Sequence, residues 1–215
     1  MLPSFPTDFE NTGVVVQFNG TLFGADPAII GVQYGLPSAT KIFNCPLVPG
    51  SLYYNDQTGA SGLRCVAGPG VGAGLVFVLR KGLQITPEGV DTLSYPPPVI
   101  EADSIRGSLL AEKKKEYNGQ FSESDLVHFE AHNVGADASL LEVFYGPSGV
   151  TPMPYKCKSV QILTSTTPHT VVCETQLGDG LGMHFQIRAL SDTSRSEVGT
   201  DTYNYPTAPQ VFFVS

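Results

Sequence analysis

Residues 65–80 read CVAGPGVGAGLVFVLR, and residues 173–188 read CETQLGDGLGMHFQIR. Both stretches fit one pattern, C-x4-G-x-G-x-G-x2-F-x2-R, without a gap. A pattern of this complexity that occurs twice indicates an internal duplication, which decides how the rest of the chain is interpreted. The sequence therefore predicts two copies of one domain.

Further matching residues fall in the same order in both halves of the chain. Their spacing drifts slightly, as expected if loops accept insertions while strands do not. The predicted domains are 1–97 and 98–207, and residues 208–215 begin a following domain or form a tail. The matches are Phe18 with Phe129, Gly24-Ala25-Asp26 with Gly135-Ala136-Asp137, Val32-Gln33-Tyr34-Gly35 with Val143-Phe144-Tyr145-Gly146, Cys45 with Cys157, Asp91-Thr92 with Asp201-Thr202, and Tyr95-Pro96 with Tyr205-Pro206.

Runs of β-branched and aromatic residues recur along both copies, bounded by Gly, Pro, Asn and Asp. Such runs are typical of short strands, and 23 glycines with 17 prolines disfavour helices. The pattern predicts an all-β fold of sandwich or barrel type rather than βαβ units. Residues 108–116 form the one helix-like stretch, which we interpret as a loop or short turn in an insertion. The proline run at 96–98 predicts a semi-rigid link between the copies.

Each copy resembles an IPT/TIG domain, the immunoglobulin-like fold of plexins, Rel-type transcription factors and large surface receptors. The features that carry the resemblance are the Gly-x-x-Phe-Gly element at 20–24, Tyr-Gly at 34–35 and 145–146, two cysteines per copy, and the Tyr-Pro end. The resemblance implies two tandem immunoglobulin-like β-sandwiches of the E-set/IPT type. The paired cysteines resemble those of extracellular members, which implies an extracellular or cell-surface location. Residues 5–13 depart from the pattern, because this lead-in is shorter than residues 99–125.

The four cysteines allow three disulfide connectivities. The duplication favours Cys45–Cys65 and Cys157–Cys173, because duplicated domains are expected to form bonds within themselves. Closing loops of this length stabilises a domain by about 3 kcal/mol in the chain-entropy model. The alternative is free buried thiols in a cytosolic protein. A zinc site is disfavoured because no C-x2-C or His–Cys spacing occurs.

Two features suit a surface that meets partners. Asn19-Gly20-Thr21 is the one N-x-[ST] sequon, and in a secreted setting it predicts a glycan on Asn19; the alternative is an ordinary turn after a strand. Tyr53 and Tyr54 lie in the loop between Cys45 and Cys65. Tyrosines on loops suit recognition, although packing at the edge of the core explains them equally well.

Patterns that carry catalysis or metal binding in other proteins have simpler interpretations here. Gly70, Gly72 and Gly74 precede a strand rather than a helix, which favours a tight turn over a phosphate cradle. The triplet 128/130/132 (His, Glu, His) shares one strand face, but residues four apart on a strand lie about 13 Å apart. We interpret this face as polar and solvated. His184 is expected to point outward beside a core Phe185.

The remaining charged groups likewise favour no site. The EKKKE run at 112–116 is interpreted as a solvated loop, with an anionic glycan or partner as the alternative. Calcium binding by Asp91, Glu101 and Asp103 is disfavoured because these acids are sparse and unpatterned. The sequence therefore predicts no catalytic residue, no metal and no cofactor.

Composition limits the partners. The chain of 215 residues carries a net charge of −8 at pH 7, whereas nucleic-acid binders are usually basic. No apolar run reaches the roughly 18 residues of a membrane span, so no membrane insertion is expected in this segment. The opening residues lack a signal-peptide pattern, so we expect either a cytosolic chain or a piece of a larger secreted protein.

The leading hypothesis is a non-enzymatic extracellular adhesion, recognition and spacer segment of a larger cell-surface or secreted repeat protein. Its expected partners are neighbouring domains of the same chain and a protein or glycan at the cell surface, including a second copy of the chain. The alternatives are an accessory carbohydrate-binding or spacer module of a secreted polysaccharide-acting enzyme, and an intracellular scaffold or transcription-factor-type module.

Overall fold

The computed structural model describes residues 13–106, 126–165, 167–176, 180–191 and 194–205. These residues form an all-β structure of antiparallel sheets, as the sequence predicts. The chain divides into two compact units, Met1–Pro96 and Pro97–Ser215. Residues 112–116 and 208–215, on which two of the sequence predictions fall, lie outside the described residues.

Unit 1 contains two antiparallel sheets that face each other across an apolar core. Its strands are β1 (Val14–Thr21), β2 (Ile30–Gly35), β3 (Phe43–Asn44), β4 (Tyr53–Tyr54), β5 (Ala60–Ala67), β6 (Leu75–Lys81), β7 (Gln84–Ile85) and β8 (Thr92–Leu93). One sheet has the order β1-β5-β4, and the other has the order β3-β2-β6-β7 with β8 also paired to β6. Phe18 of β1 meets Phe77 of β6 edge to face, with ring centroids 5.2 Å apart.

Unit 2 repeats this construction. Its strands are β9 (Val99–Ile100), β10 (Leu126–His132), β11 (Leu141–Pro147), β12 (Tyr155–Lys156), β13 (Ser159–Leu163), β14 (His169–Glu174) and β15 (Met183–Ala189). Their orders are β13-β14-β10-β9 and β12-β11-β15. Burial alternates strictly along β15, where Met183, Phe185, Ile187 and Ala189 point into the core. This period of two is what a strand with one solvated face requires.

The strand register is preserved between the two units even where the loops differ in length. Val16 pairs with Cys65 in unit 1, and Val127 pairs with Cys173 in unit 2. A slip of one residue would turn every core side chain of a strand toward solvent, so a buried face holds the register. The residues that match along the sequence therefore occupy the same places in both sheets.

The repeated Gly-Ala-Asp triplet forms a 3-10 turn that the sequence analysis missed. Asp26 accepts a hydrogen bond from the backbone N–H of Ala28, and Asp137 accepts one from Ser139, both at 2.9 Å. Aspartate at this position satisfies a donor that the short helix leaves unpaired. The turns span Pro27–Ile29 and Ala138–Leu140. Strand β2 therefore begins at Ile30, directly after the turn.

The glycine-rich turn before β6 has two separate requirements. Gly72 and Gly74 have φ of +105° and +67°, as the prediction of a tight turn requires. Gly70 serves a different purpose, because a Cβ there would lie 2.8 Å from the ring and hydroxyl of Tyr95. The first glycine of the motif therefore makes room for a tyrosine that closes the core.

A pair of buried tyrosine hydroxyls closes the core of unit 2. The hydroxyls of Tyr145 and Tyr205 lie 2.8 Å apart. Tyr145 also accepts from the backbone N–H of Gln176 at 2.7 Å, and Tyr205 donates to the carbonyl of Gln176 at 2.9 Å. Because the proton of Tyr205 is committed to that carbonyl, Tyr145 donates to Tyr205. The three bonds form a closed ring around one peptide residue.

Unit 1 contains the matching pair. The hydroxyls of Tyr34 and Tyr95 lie 2.7 Å apart, and Tyr95 donates to the carbonyl of Gly68 at 2.7 Å. Burial raises the pKa of Tyr34, Tyr95 and Tyr205, so these hydroxyls stay protonated and able to donate. Both units therefore use the tyrosine near the end of the repeat, Tyr95 or Tyr205, to tie the segment after the last strand to the core.

We expect Tyr145→Phe to lower the free energy of unfolding of unit 2 by about 1–3 kcal/mol. The substitution removes the acceptor of the Gln176 N–H and the donor to Tyr205, so the ring of bonds opens and the Gln176 N–H loses its partner. Urea denaturation followed by circular dichroism, with peptide-level hydrogen exchange to separate the units, measures the loss.

Tyr155→Phe is the matched control. Its ring stacks on Tyr145 with centroids 5.3 Å apart, but its hydroxyl makes no hydrogen bond within the described residues. We expect this variant to change stability by less than about 0.5 kcal/mol. Equal losses in the two variants would contradict the role assigned to the hydrogen bonds of Tyr145, because Tyr155 makes none of them.

Candidate functional site

Each unit is closed by its own disulfide bond. Cys45, just after β3, bonds to Cys65 in β5, and Cys157, just after β12, bonds to Cys173 in β14. The Cα–Cα distances are 5.4 and 5.5 Å, within the usual range for a disulfide. All four cysteines are paired in the connectivity that the duplication favours, and each bond joins the two sheets of its unit.

Asn19 lies within a strand and not in a turn after one. It is the sixth residue of β1, pairs with Gly62 of β5, and has an exposed side chain. The alternative interpretation of the sequon as an ordinary turn is therefore wrong, because the ladder between β1 and β5 continues to Thr21. A glycan on Asn19 stays a prediction.

Tyr53 and Asn19 line one shallow depression on the outer face of the β1-β5-β4 sheet. Tyr53 is 55% exposed and pairs with Gly62, so Asn19, Gly62 and Tyr53 lie side by side across three strands. The depression has a volume of about 160 Å³. We call it the Tyr53 surface, and it is lined by Gln17, Asn19, Ser51, Tyr53, Gly62, Leu63 and Arg64.

The His-Glu-His triplet lies on the outer face of β10, while Val127, Phe129 and Ala131 point into the core. His132 is paired with Glu101, with 2.8 Å between Nε2 and Oε1. Within the described ranges, no cluster of three or more His, Cys, Asp or Glu side chains could hold a metal ion.

A second surface, which the sequence analysis did not identify, lies on the outer face of the β12-β11-β15 sheet. The guanidinium carbons of Arg188 and Arg195 lie 5.0 and 5.8 Å from the centroid of the Phe144 ring. Glu142 accepts from the Arg188 guanidinium and, at 2.6 Å, from the ammonium of Lys156. We call this the Phe144 surface; it consists of Glu142, Phe144, Lys156, Gln186, Arg188 and Arg195.

The Phe144 surface belongs to unit 2 alone. Phe144 lies between Lys156 and Gln186 across the sheet, whereas the same row of unit 1 holds Gln33 between Asn44 and Val78. In a neighbouring row, Glu142 of unit 2 pairs with Arg188. The matching row of unit 1 also holds an arginine, Arg80, but its partner is Gly31. Since unit 1 builds the same sheet without the aromatic and acidic groups, the fold does not require them.

One acidic side chain of unit 2, Asp201, has a structural role. The carboxylate of Asp201 accepts from the backbone N–H groups of Asp103, Ser104 and Ile105 at 2.8, 2.7 and 3.0 Å. Burial raises the pKa of Asp201, but these three donors together outweigh burial and hold the pKa below its usual value. Asp103, a candidate calcium ligand by sequence, is thus part of a turn that Asp201 organises, and Glu101 is paired with His132.

The sequence indicates Asp201 more clearly than it indicates the Phe144 surface. Asp201 stands in the repeated Asp-Thr match, so the sequence marked its position but not its partners. The Phe144 surface draws on β11, β12, β15 and a residue after β15, and no single stretch of sequence places its cations together. Only the sheet register assembles it.

Comparison with protein-family models found no match, and comparison with curated proteins found no significantly similar sequence. Within the described residues, no helix has the length and apolar composition that crossing a membrane demands. The function is therefore inferred from the two units themselves.

We expect the stability of unit 2 to fall in acid partly through Asp201. Because the folded pKa of this group is lowered, its contribution is present above the pKa of the unfolded chain and is lost as pH falls through the folded pKa. Asp201→Asn should therefore be less stable than the natural chain at pH 7, and the difference should shrink progressively below about pH 4. Urea denaturation from pH 7 to pH 2.5 measures it. A difference that stays constant over this range would contradict the assignment.

We expect each disulfide to stabilise its own unit. Replacing Cys157 and Cys173 together by alanine should lower the free energy of unfolding of unit 2 by about 3 kcal/mol and leave unit 1 unchanged. The matched pair, Cys45 and Cys65 replaced by alanine, should give the reverse pattern. Peptide-level hydrogen exchange on both variants reports each unit separately. Loss of protection in both units from either pair of substitutions would contradict independent closure.

Proposed function

We propose that this chain is a non-enzymatic extracellular recognition and spacer segment, built from two tandem immunoglobulin-like β-sandwiches of the IPT/TIG type. The observation that carries the proposal is that each unit is closed separately, by its own disulfide between sheets and its own tyrosine pair. Such units are suited to arrays in which every repeat has to stay folded without help from its neighbours.

The order of the strands supports the immunoglobulin-like assignment. The sheet β9-β10-β14-β13 matches the A-B-E-D sheet of that fold, and β11 with β15 matches strands C and F of the other sheet. The disulfide departs from the antibody arrangement, which joins strands B and F. Here it joins the segment after C′ to strand E, as the positions of Cys157 and Cys173 require.

The disulfides support an extracellular location. Disulfides persist in secreted and surface proteins and are rare in the cytosol, where thiols are kept reduced. All four cysteines are at most 5% exposed, so both disulfides lie inside the core of their unit. This position is that of a disulfide with a structural role. The proline run at 96–98 fixes φ at three successive residues, which supports a spacer.

The Phe144 surface supports recognition. Arginine and aromatic side chains dominate the energetics of protein interfaces, and arginine binds carboxylate and sulfate groups through paired N–H donors. Phe144 holds two guanidinium groups on an open sheet face of a chain whose net charge is −8. The partner that this chemistry fits is an acidic protein or glycan at the cell surface, including the acidic chain itself.

A second candidate function is an accessory carbohydrate-binding module of a secreted polysaccharide-acting enzyme. The Tyr53 surface favours it, because an exposed tyrosine beside amide and guanidinium groups suits a sugar ring. The two functions predict different ligands: acidic partners at Phe144, or neutral polysaccharide at Tyr53.

We expect binding by the oxidised chain to depend on Phe144. The chain is tested on an array of sulfated, carboxylated and neutral glycans, and against itself by surface plasmon resonance. Binding to acidic probes or to itself should weaken with rising salt and should fall at least tenfold in Phe144→Ala.

Gln33→Ala is the control, since Gln33 occupies the same row of unit 1. It should bind like the natural chain, and the melting temperatures of both variants verify their folding. Binding only to neutral polysaccharide, abolished by Tyr53→Ala, would support the accessory module instead. Acidic-probe binding that is equal in Phe144→Ala and the natural chain would contradict the proposed surface.

A further inference from the structure

The Tyr53 surface and the sequon at Asn19 occupy the same place in the sheet, although nothing in the sequence relates them. The Oδ1 atom of Asn19 lies 3.3 Å from the position that a Cβ on Gly62 would take, and Cδ1 of Tyr53 lies 3.1 Å from it on another side. Because Gly62 has no side chain, Asn19 and Tyr53 approach each other across it and together line the depression. We propose that the first sugar of a glycan attached to Asn19 lies over this depression, with its ring against the exposed side of Tyr53.

The proposal rests on the proposed extracellular function, because attachment requires the secretory pathway. The sugar is transferred from a lipid-linked oligosaccharide diphosphate. The bond between its anomeric carbon and the phosphate oxygen breaks, the bond from that carbon to Nδ2 of Asn19 forms, and Nδ2 loses one proton as the lipid diphosphate leaves.

The amide of Asn19 is placed for this attachment. Its side chain is exposed, and its Oδ1 atom accepts a long hydrogen bond of 3.4 Å from Gln17. The Nδ2 atom, to which the sugar is joined, makes no hydrogen bond within the described residues. Thr21, the third residue of the sequon, is exposed on the same face of β1.

The size of the depression favours a tethered sugar over a free ligand. Its volume of about 160 Å³ is below the roughly 300–1,000 Å³ typical of small-molecule sites. A sugar joined to Asn19 has a high effective concentration at the depression and needs few contacts to remain there. The half-exposed Tyr53 ring offers an apolar side to the C–H face of a pyranose.

The rim supplies a polar partner. Arg64, exposed in β5, pairs with Gln17, and its guanidinium makes no hydrogen bond within the part of the chain that the structure describes. Five N–H donors are therefore available to sugar hydroxyls and to an acetamido carbonyl. Ser51, by contrast, is occupied, since its hydroxyl is bonded to the backbone of Arg64.

Unit 2 lacks all three components of this arrangement. The row that holds Asn19, Gly62 and Tyr53 in unit 1 holds Glu130, Thr170 and Leu163 in unit 2. An attachment residue, a residue without a side chain and an aromatic ring therefore occur together in one copy and are absent together from the other.

The experiment uses the full chain secreted from cultured eukaryotic cells behind an added signal peptide. Mass spectrometry first measures glycan occupancy at Asn19, and disulfide mapping of the same sample verifies folding. A glycosidase that cleaves between the first two sugars and leaves one N-acetylglucosamine on Asn19 then yields a homogeneous sample. Its nuclear Overhauser contacts are measured between the N-acetyl methyl group and the Tyr53 ring.

We compare the native-state rate at which an amidase removes the glycan from the natural chain, Tyr53→Ala and Tyr54→Ala. A sugar seated against Tyr53 shields the Asn19 linkage, so Tyr53→Ala should release the glycan about three- to tenfold faster, a range typical of the loss of one aromatic contact. Tyr54 is the adjacent exposed tyrosine, and Tyr54→Ala should leave the rate of glycan release unchanged.

Methyl-to-Tyr53 contacts together with selective acceleration in Tyr53→Ala would support the proposal. An unoccupied Asn19, equal rates in all three proteins, or equal acceleration by both substitutions would overturn it. If Tyr53→Ala fails to fold, absence of the methyl-to-Tyr53 contacts in the natural chain would overturn it as well. None of these outcomes bears on the disulfides or on Phe144, whereas free thiols in the secreted chain would count against the proposed extracellular function alone.

Discussion

A phenolic hydroxyl buried in a two-sheet core has to find a partner, and this requirement organises both halves of the molecule. Tyr145 and Tyr205 meet it by bonding to each other and to both backbone groups of Gln176. The ring of bonds joins the sheet that carries Tyr145 to the segment after β14 and to the end of the unit. Burial raises the pKa of Tyr205, which keeps this hydroxyl protonated and able to donate to the carbonyl of Gln176. The disulfide ties the two sheets together covalently, while the hydroxyls determine how the last segment closes.

The two units share the residues that the fold requires and differ in residues on the outer faces of their sheets. Residues common to both copies build one framework: the cysteines and the tyrosine pairs lie in the core, whereas the exposed capping aspartates and the glycines before β6 or β15 shape the turns around it. Residues that differ lie on the outer faces of the sheets. Unit 1 carries Asn19, Gly62 and Tyr53 in one row, and unit 2 carries Phe144 with its arginines. Surface differences on a shared core support two units that keep one structure and present different chemistry to their surroundings.

The residues of the core could be predicted from the sequence more easily than the residues of the two surfaces, and the reason is physical. A repeated residue with a fixed role leaves a trace in both copies, so the duplication located the cysteines, the strands and the Tyr-Pro end. It did not show that Tyr34 and Tyr95 share a bond, because 61 residues separate them and only the sheet register brings them together. Gly70 was interpreted as a turn residue, whereas the bulk of Tyr95 explains it. Lys156 and Arg195 of the Phe144 surface were marked by neither periodicity nor repetition. Arg188 ends the repeated motif, but only the sheet register places it beside Phe144.

The central claim is that each half of the chain is a separately closed all-β unit of an oxidising compartment. The most direct test is a disulfide map of the protein from its natural source, with thiols blocked at lysis and peptides analysed without reduction. We expect two linked pairs of peptides, one joining Cys45 to Cys65 and the other joining Cys157 to Cys173. Four free thiols, or any link between the first pair of cysteines and the second, would contradict it.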